Sequence, residues 1–108
     1  MDWDNFEDLS VKDAPRMLVT PPGPRSLEIL RAQEELEGSA VSYPRGMPMA
    51  LARGKGATLE DVDGNVYIDC FSGAGVMALG HAHPFVLEAA RGQLDKVTHT
   101  LDIPSETR

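Results

Sequence analysis

The chain has 108 residues, a net charge of −7 and 42% hydrophobic residues, which suits one small globular domain or part of a larger one. The acidic balance disfavours binding to nucleic acid or to an anionic membrane, because both require clusters of basic residues. No apolar run approaches the ~20 residues of a membrane span, and the acidic start lacks the pattern of a secretory signal. The single cysteine, Cys70, excludes a disulfide within the chain, so a reduced, cytoplasmic setting is predicted.

Residues 1–25 are predicted to form a flexible, acidic and proline-rich arm. Five acidic residues fall in the first thirteen positions, and four of the eight prolines lie between Pro15 and Pro24. Proline removes a backbone donor and blocks regular helix, so the arm is expected to be extended. Solvation is the usual state of such a terminal segment, although Trp3 and Phe6 could anchor it on a surface.

Two helices are predicted, one on each side of a strand-rich centre. The first covers 26–38, with Ser26 as its N-cap and Gly38 as its stop. The second covers 83–97, with Pro84 at its first position, where the missing N–H costs nothing. Its apolar residues repeat on one face at helical spacing: Val86, Ala90, Leu94 and Val97.

The centre of the chain is predicted to be a β-hairpin. The segment 57–69 carries strand-forming residues on both sides of Asp63-Gly64-Asn65, a strong turn signal because Gly and Asn tolerate positive φ. The preceding loop leads into a strand in which Met47, Met49 and Leu51 alternate. Three apolar residues of the hairpin are expected to supply one inward face: Leu59, Val66 and Ile68. The fold class is therefore an α+β piece made of helix, β-hairpin and helix.

The glycine-rich stretch FSGAGVMALGHAHP, residues 71–84, suggests several sites. Residues 73–78 match the dinucleotide-binding pattern G-x-G-x-x-A, in which glycines let a pyrophosphate approach a helix N-terminus. A helix that starts here would run through Gly80 and soon meet Pro84, and the preceding element is the second arm of a hairpin. Dinucleotide binding, as in an oxidoreductase, is therefore a remote alternative.

No metal site is predicted. His81 and His83 supply two ligands without an evident third, apart from distant carboxylates, Cys70 and His99. The stretch that starts at Asp61 resembles a calcium loop, but it lacks the glycine and glutamate that such a loop needs at its sixth and twelfth positions.

Two glycines give the stretch a different use. Gly73 and Gly75 flank Ala74, so this backbone can adopt conformations closed to other residues and remains thin. Such a strip would let a ligand or a neighbouring subunit approach closely. A plain tight turn with close packing would use the same residues, and composition favours neither interpretation.

An ordered set of motifs carries a family resemblance. It comprises R-G-K-G at 53–56, L-x-D-x-D-G-x-x-Y-I-D at 59–69, S-G-x-G-V at 72–76 and L-G-H-x-H-P at 79–84. The set resembles the N-terminal part of class-III aminotransferases, which are pyridoxal-phosphate enzymes of fold type I. The likeness covers roughly residues 40–102. Within the family, stretches such as S-Y-P-R at 42–45 and H-T-L-D at 99–102 look most similar to diaminobutyrate–2-oxoglutarate 4-aminotransferases.

The resemblance implies a transaminase that uses pyridoxal 5′-phosphate to move an amino group from an ω-amine donor to a 2-oxo acid. In the most similar subgroup the donor is 2,4-diaminobutyrate and the acceptor is 2-oxoglutarate, which becomes glutamate, and the resemblance implies a homodimer. It implies that residues 26–108 form the N-terminal part of the small domain and the lead into the large domain. It also implies that Gly73, Ala74 and Gly75 line the substrate mouth.

Several parts of such an enzyme have no match in this sequence. The resemblance places the phosphate cup, the aspartate facing the pyridine nitrogen, the Schiff-base lysine and the carboxylate-binding arginine elsewhere. The chain holds only Lys12, Lys55 and Lys96, none at a matching position. We therefore predict no catalytic and no cofactor-binding residue here, and expect a truncated domain that is inactive alone. A small non-catalytic binding module derived from the same fold is the alternative.

Overall fold

The computed structural model describes residues 9–37 and 47–96, and within these it has three helices and three strands. Pro84 stands at the first helical position of its helix, as the sequence predicts, and Pro24 does the same in the first helix, which begins two residues before the predicted start. The elements in chain order are α1 Pro24–Leu36, β1 Leu51–Lys55, β2 Thr58–Asp61, β3 Val66–Ile68, α2 Ser72–Gly75 and α3 Pro84–Leu94.

The three strands form one antiparallel sheet in the order β1-β2-β3. The predicted hairpin is confirmed, because β2 and β3 pair and Gly64 in the turn between them has a φ of 86°. The register places Leu59 opposite Tyr67, so Leu59 and Val66 lie on different faces of the sheet. The expected common inward face is therefore wrong: Val66 is fully buried, whereas Ile68 is half exposed.

A buried polar network stands beneath the hairpin turn. The Asp61 side chain, in a residue only 2% exposed, accepts four hydrogen bonds. Two come from the backbone N–H groups of Asp63 and Asn65 at 3.0 and 2.9 Å, one from Asn65 Nδ2 at 2.9 Å and one from the Tyr67 hydroxyl at 2.7 Å. Burial by itself disfavours the charged carboxylate, but these bonds outweigh it and lower the pKa of Asp61.

Residues 9–23 lie along the sheet and bind it through hydrogen bonds. Val11 N–H donates to Thr58 Oγ1 at 2.7 Å, and Arg16 exchanges two backbone hydrogen bonds with Val66. The segment runs through turns and bends, with isolated β-bridges at Ser10 and Arg16, and most of its side chains are exposed. It covers the free edge of β3 and buries Val11, which with Val66 makes up the buried apolar core of the described residues. Trp3 and Phe6 lie outside the described residues.

The N-terminus of α1 is capped from the hairpin turn. Asp63 Oδ1 accepts from Arg25 N–H at 2.9 Å, and Asp63 Oδ2 accepts from Ser26 N–H at 2.8 Å. The predicted N-cap, Ser26, is instead a buried residue inside the helix, and Gly23 holds the N-cap position without a side-chain bond. The prediction is wrong because a carboxylate distant in sequence satisfies the free N–H groups. The predicted stop, Gly38, lies outside the described residues.

Replacing Asp63 by alanine is expected to fray the first turn of α1, because two helix N–H groups lose their acceptor. Amide hydrogen exchange at Arg25 and Ser26 measures the effect, and faster exchange at both is expected. Asp63→Asn is the matched variant, since its single side-chain oxygen still accepts one of the two bonds. Equal protection in the wild-type and Asp63→Ala chains would contradict the capping.

The last helix, α3, shows an apolar face that the rest of the described chain does not cover. No residue of α3 is buried, and Val86 and Leu94 are 46% and 62% exposed. The predicted stripe is therefore present and solvent-facing, while Val97 lies outside the described residues. His83 occupies the N-cap position but makes no side-chain capping bond. None of the helices in the described ranges combines the length and the apolar character needed to cross a bilayer.

Candidate functional site: a left-handed turn beside an apolar cleft

Residues 72–75 form a left-handed turn. The φ angles of Ser72, Gly73, Ala74 and Gly75 are 51°, 60°, 64° and 84°. This region is open to glycine but costs an L-residue about 1–2 kcal/mol, so Ser72 and Ala74 are strained. Three backbone bonds hold the turn: Gly75 N–H donates to Phe71 C=O at 3.2 Å, and the N–H groups of Val76 and Met77 donate to Ser72 C=O, the latter at 3.1 Å. The predicted unusual backbone at Gly73 and Gly75 is confirmed.

Both ends of the loop that carries this turn are bound to the sheet. At the first end, Asp69 N–H donates to Ala57 C=O at 2.8 Å. At the second end, His81 and Gly56 exchange two backbone hydrogen bonds, each 2.8 Å long. Gly80 packs so closely there that a Cβ would lie 2.7 Å from Gly56 Cα. The loop 69–81 is therefore closed at its base by backbone contacts that fix where the turn stands.

A carboxylate and an imidazole join the two ends. Asp69 Oδ1 accepts from the N–H groups of Phe71 and Ser72 at 3.0 and 2.9 Å, and Asp69 Oδ2 lies 2.6 Å from His81 Nε2. The hydrogen bond from His81, followed by the bond from Ser72 N–H, lowers the pKa of Asp69. Because an ionised carboxylate only accepts, the imidazole donates through Nε2. We did not predict this pair, although an aspartate directly after a strand is a common start of such a turn.

An apolar cleft of about 800 Å³ opens beside the loop. α1 and the Leu59–Tyr67 face of the sheet form its walls, and His81 and Asp69 stand at its polar side. Of the three predicted substrate-binding residues, Gly73 lines the cleft, whereas Ala74 and Gly75 are exposed and do not line it. The other residues that line it are Leu30, Gln33, Glu34, Met47, Met49, Leu51, Ile68, Cys70 and Phe71.

The geometry disfavours the dinucleotide interpretation. The glycines of residues 73–78 lie in a helical element of four residues, not at the start of a long helix. The strand before them is antiparallel to its neighbour, so no βαβ unit is formed by the described elements. No group of three or more His, Cys, Asp or Glu side chains in 9–37 and 47–96 could hold a metal ion.

Three carboxylates of this framework predict the response to acid. The pKa values of Asp61, Asp63 and Asp69 are all lowered in the folded chain, so the unfolded chain binds protons first as the pH falls. Their contribution to stability is complete above the unfolded value of about 3.9 and is lost as the pH falls through the folded values. The urea midpoint is expected to be constant from about pH 7 to 5 and to drop below about pH 4.5. A midpoint that stays level down to pH 2.5 would contradict this.

The sequence matches a known protein family and several of its members. The model of the family "Aminotransferase class-III" matches residues 40–107. A diaminobutyrate–2-oxoglutarate aminotransferase of Rhizobium meliloti is 44% identical over 81 residues, 73% of this chain and 17% of that protein. An acetylornithine aminotransferase of Corynebacterium efficiens is 50% identical over 75 residues, 63% of this chain and 19% of that protein.

Solved structures show the same fold. The acetylornithine aminotransferase of Elizabethkingia anophelis superposes with a TM-score of 0.65 at 28% identity, over 75% of this chain and 20% of that one. The ornithine δ-aminotransferase of Plasmodium falciparum gives 0.64 at 26% identity, with the same two coverages. The chain thus spans about a fifth of the length of the relatives it matches. It belongs to the class-III aminotransferase family, as a helix, sheet and helix piece of fold type I.

Proposed function

We propose that this chain supplies the N-terminal part of a transaminase that moves an amino group from an ω-amine donor to a 2-oxo acid. The observation that carries the proposal is the left-handed turn 72–75, held beside an apolar cleft by both ends of its loop. The names of relatives support 2,4-diaminobutyrate as donor and 2-oxoglutarate as acceptor, since several are diaminobutyrate–2-oxoglutarate aminotransferases.

The proposed task of the turn is to bound the space for the donor. Gly73, Ala74 and Gly75 carry at most a methyl group, so an amine chain can pass close to their backbone. A Cβ on Gly75 would meet no atom within 4 Å, so the outer side of the turn is open to a ligand. The neighbouring cleft is mostly apolar and suits the methylene groups of an ω-amine. In this proposal the turn binds and orients the donor and takes no part in proton transfer.

The residues of this chain do not provide a covalent anchor for pyridoxal 5′-phosphate. No lysine lines the cleft; Lys12 and Lys96 are exposed, and Lys55 lies in β1. The cofactor, which supplies an electron sink for amino-group transfer, is therefore proposed to bind through residues outside this chain. We assign residues 26–108 to the small domain and the lead into the large domain, preceded by the arm 1–25. A cytoplasmic homodimer is proposed for the intact enzyme.

The first test uses the gene and the cofactor. Beyond the codon for Arg108, an open reading frame with a glycine- and serine-rich cup and a later lysine at a strand end is expected. Its product should transfer the amino group of 2,4-diaminobutyrate to 2-oxoglutarate. The 108-residue chain mixed with pyridoxal 5′-phosphate, reduced with borohydride and freed of small molecules should retain no stoichiometric pyridoxyl label. Such a label would contradict the claim that no anchoring lysine is present, and an immediate stop codon would favour the non-catalytic module.

Ala74→Asn tests the proposed place of the turn in the intact enzyme. Asparagine tolerates positive φ, so it adds bulk at the turn with little backbone strain. We expect KM for the donor to rise about 10-fold, the size of a modest steric misfit, with kcat changed less. Ala78→Asn, also exposed but outside the turn, is the matched control and should leave both constants unchanged. Equal kinetics of the two variants would contradict the placement.

A further inference from the structure

The loop 69–81 contains a side-chain connection that backbone geometry alone does not require. Backbone bonds to Ala57 and Gly56 already close the base of the loop. The Asp69 carboxylate adds three more contacts, two to the turn and one to the imidazole at the opposite end. Its side chain is 7% exposed, and that of His81 is 23% exposed, so the contact between the two side chains is partly shielded from water.

We propose that Asp69 and His81 are positioning residues that hold the left-handed turn 72–75 at the mouth of the cleft. This inference rests on the proposed function, because the turn is worth positioning only if a substrate passes it. Neither residue is assigned a chemical step. Both line the cleft beside Gly73, so a shift of the pair would move the turn relative to the cleft.

Strain in the turn explains why such a device is needed. Ser72 and Ala74 both occupy the left-handed region, which each would leave in a free loop at a gain of about 1–2 kcal/mol. Asp69 Oδ1 opposes this by accepting from the N–H groups of Phe71 and Ser72, where the chain enters the turn. A charged acceptor makes each bond stronger than a neutral one. The contact with His81 keeps the carboxylate aimed at those two groups.

His81→Ala and His81→Gln are the informative variants, and His83→Ala is the matched control. Alanine removes the donor, whereas the glutamine amide places an N–H near the position of Nε2 and should restore part of the effect. His83 makes no capping bond and does not line the cleft, so its loss should change neither readout. Asp69→Ala removes all three contacts and should give the largest effect.

The first readout concerns geometry and needs no activity. In the 108-residue chain, NMR titration should give a lower pKa for the Asp69 carboxyl than for an ordinary aspartate. In His81→Ala this pKa should rise toward the ordinary value, and the Phe71 and Ser72 amides should exchange faster, by up to about 10-fold, the factor that corresponds to loss of a hydrogen bond of about 1.4 kcal/mol. An unchanged Asp69 pKa and unchanged exchange in His81→Ala would overturn the proposal.

The second readout separates this inference from the proposed function. In the intact gene product, His81→Ala should raise KM for the amino donor about 10-fold, with recovery in His81→Gln, because a misplaced turn orients the donor poorly. A wild-type product that does not transfer an amino group would refute the proposed function. The first readout would still test whether Asp69 and His81 position the turn. An active product whose KM is the same in His81→Ala and His83→Ala would refute the positioning role alone.

Discussion

Replacing Gly80 by alanine is expected to destabilise the protein by about 3 kcal/mol or more, as a combination of backbone strain and steric clash. Gly80 has a φ of 80°, which an alanine adopts only at a cost. The added Cβ would lie 2.7–2.8 Å from Cα, C and O of Gly56, which are backbone atoms that cannot turn aside. Relieving the clash would break the two hydrogen bonds between Gly56 and His81 at the base of the loop.

Gly92→Ala is the matched control, because the same chemical change should have the opposite sign. Gly92 lies in α3, and a Cβ there would meet no atom within 4 Å. Alanine should stabilise the helix by about 0.5–1 kcal/mol, mainly by restricting the unfolded chain. Urea unfolding followed by circular dichroism measures both variants. Midpoints that move in the same direction would show that the structure at Gly80 is described wrongly.

Asp61→Ala is expected to have a comparably large effect, about 3 kcal/mol, the usual cost of removing one partner from a buried hydrogen-bonded network. The substitution deletes four hydrogen bonds, leaves the Tyr67 hydroxyl without its acceptor and leaves Asn65 Nδ2 with only a 3.4 Å bond to Tyr67 Oη. Asn65 is fully buried, so water does not replace the lost partner. Asn65 Oδ1 also accepts from Leu18 and Val19, so the arm along the sheet should loosen as well.

Tyr67→Phe serves as the control for the Asp61 variant. It removes one hydrogen bond to Asp61 while three others remain, so a loss of only about 1 kcal/mol is expected. The urea midpoints should therefore rank wild type, Tyr67→Phe and Asp61→Ala in descending order. Proteolysis within residues 9–23 should be faster in Asp61→Ala than in Tyr67→Phe. An Asp61→Ala midpoint equal to that of Tyr67→Phe would show that the network is not needed.

Local signals in the sequence were sufficient to predict the hairpin, the start of α3 and the unusual backbone around Ala74. Asp63-Gly64-Asn65 predicts the hairpin because few residues tolerate its positive φ, and Pro84 predicts the start of α3 because proline lacks an N–H. Glycines on both sides of Ala74 predict a backbone that other residues avoid, and the structure shows it. Each of these properties belongs to the residue and its nearest neighbours, so it can be predicted without knowledge of the fold.

Contacts between distant residues could not be predicted in the same way. Ser26 has the chemistry of an N-cap, yet Asp63 supplies the bonds, because the hairpin turn stands over the end of α1. The pairing of Asp69 with His81 depends on how the loop closes. The strand register places Leu59 on the same face as Tyr67 and not on that of Val66. Apolar spacing in α3 predicts one face correctly but does not tell whether anything covers it.

The described part of the chain buries little apolar surface. Val11 and Val66 are its buried hydrophobic side chains, whereas Asp61, Asn65, Thr58 and Ser26 are buried polar ones. Heat capacity rises on unfolding through newly hydrated apolar surface and falls through newly hydrated polar surface. A piece with this interior is expected to have a small heat-capacity increment on unfolding, so its free energy of unfolding should curve only weakly with temperature.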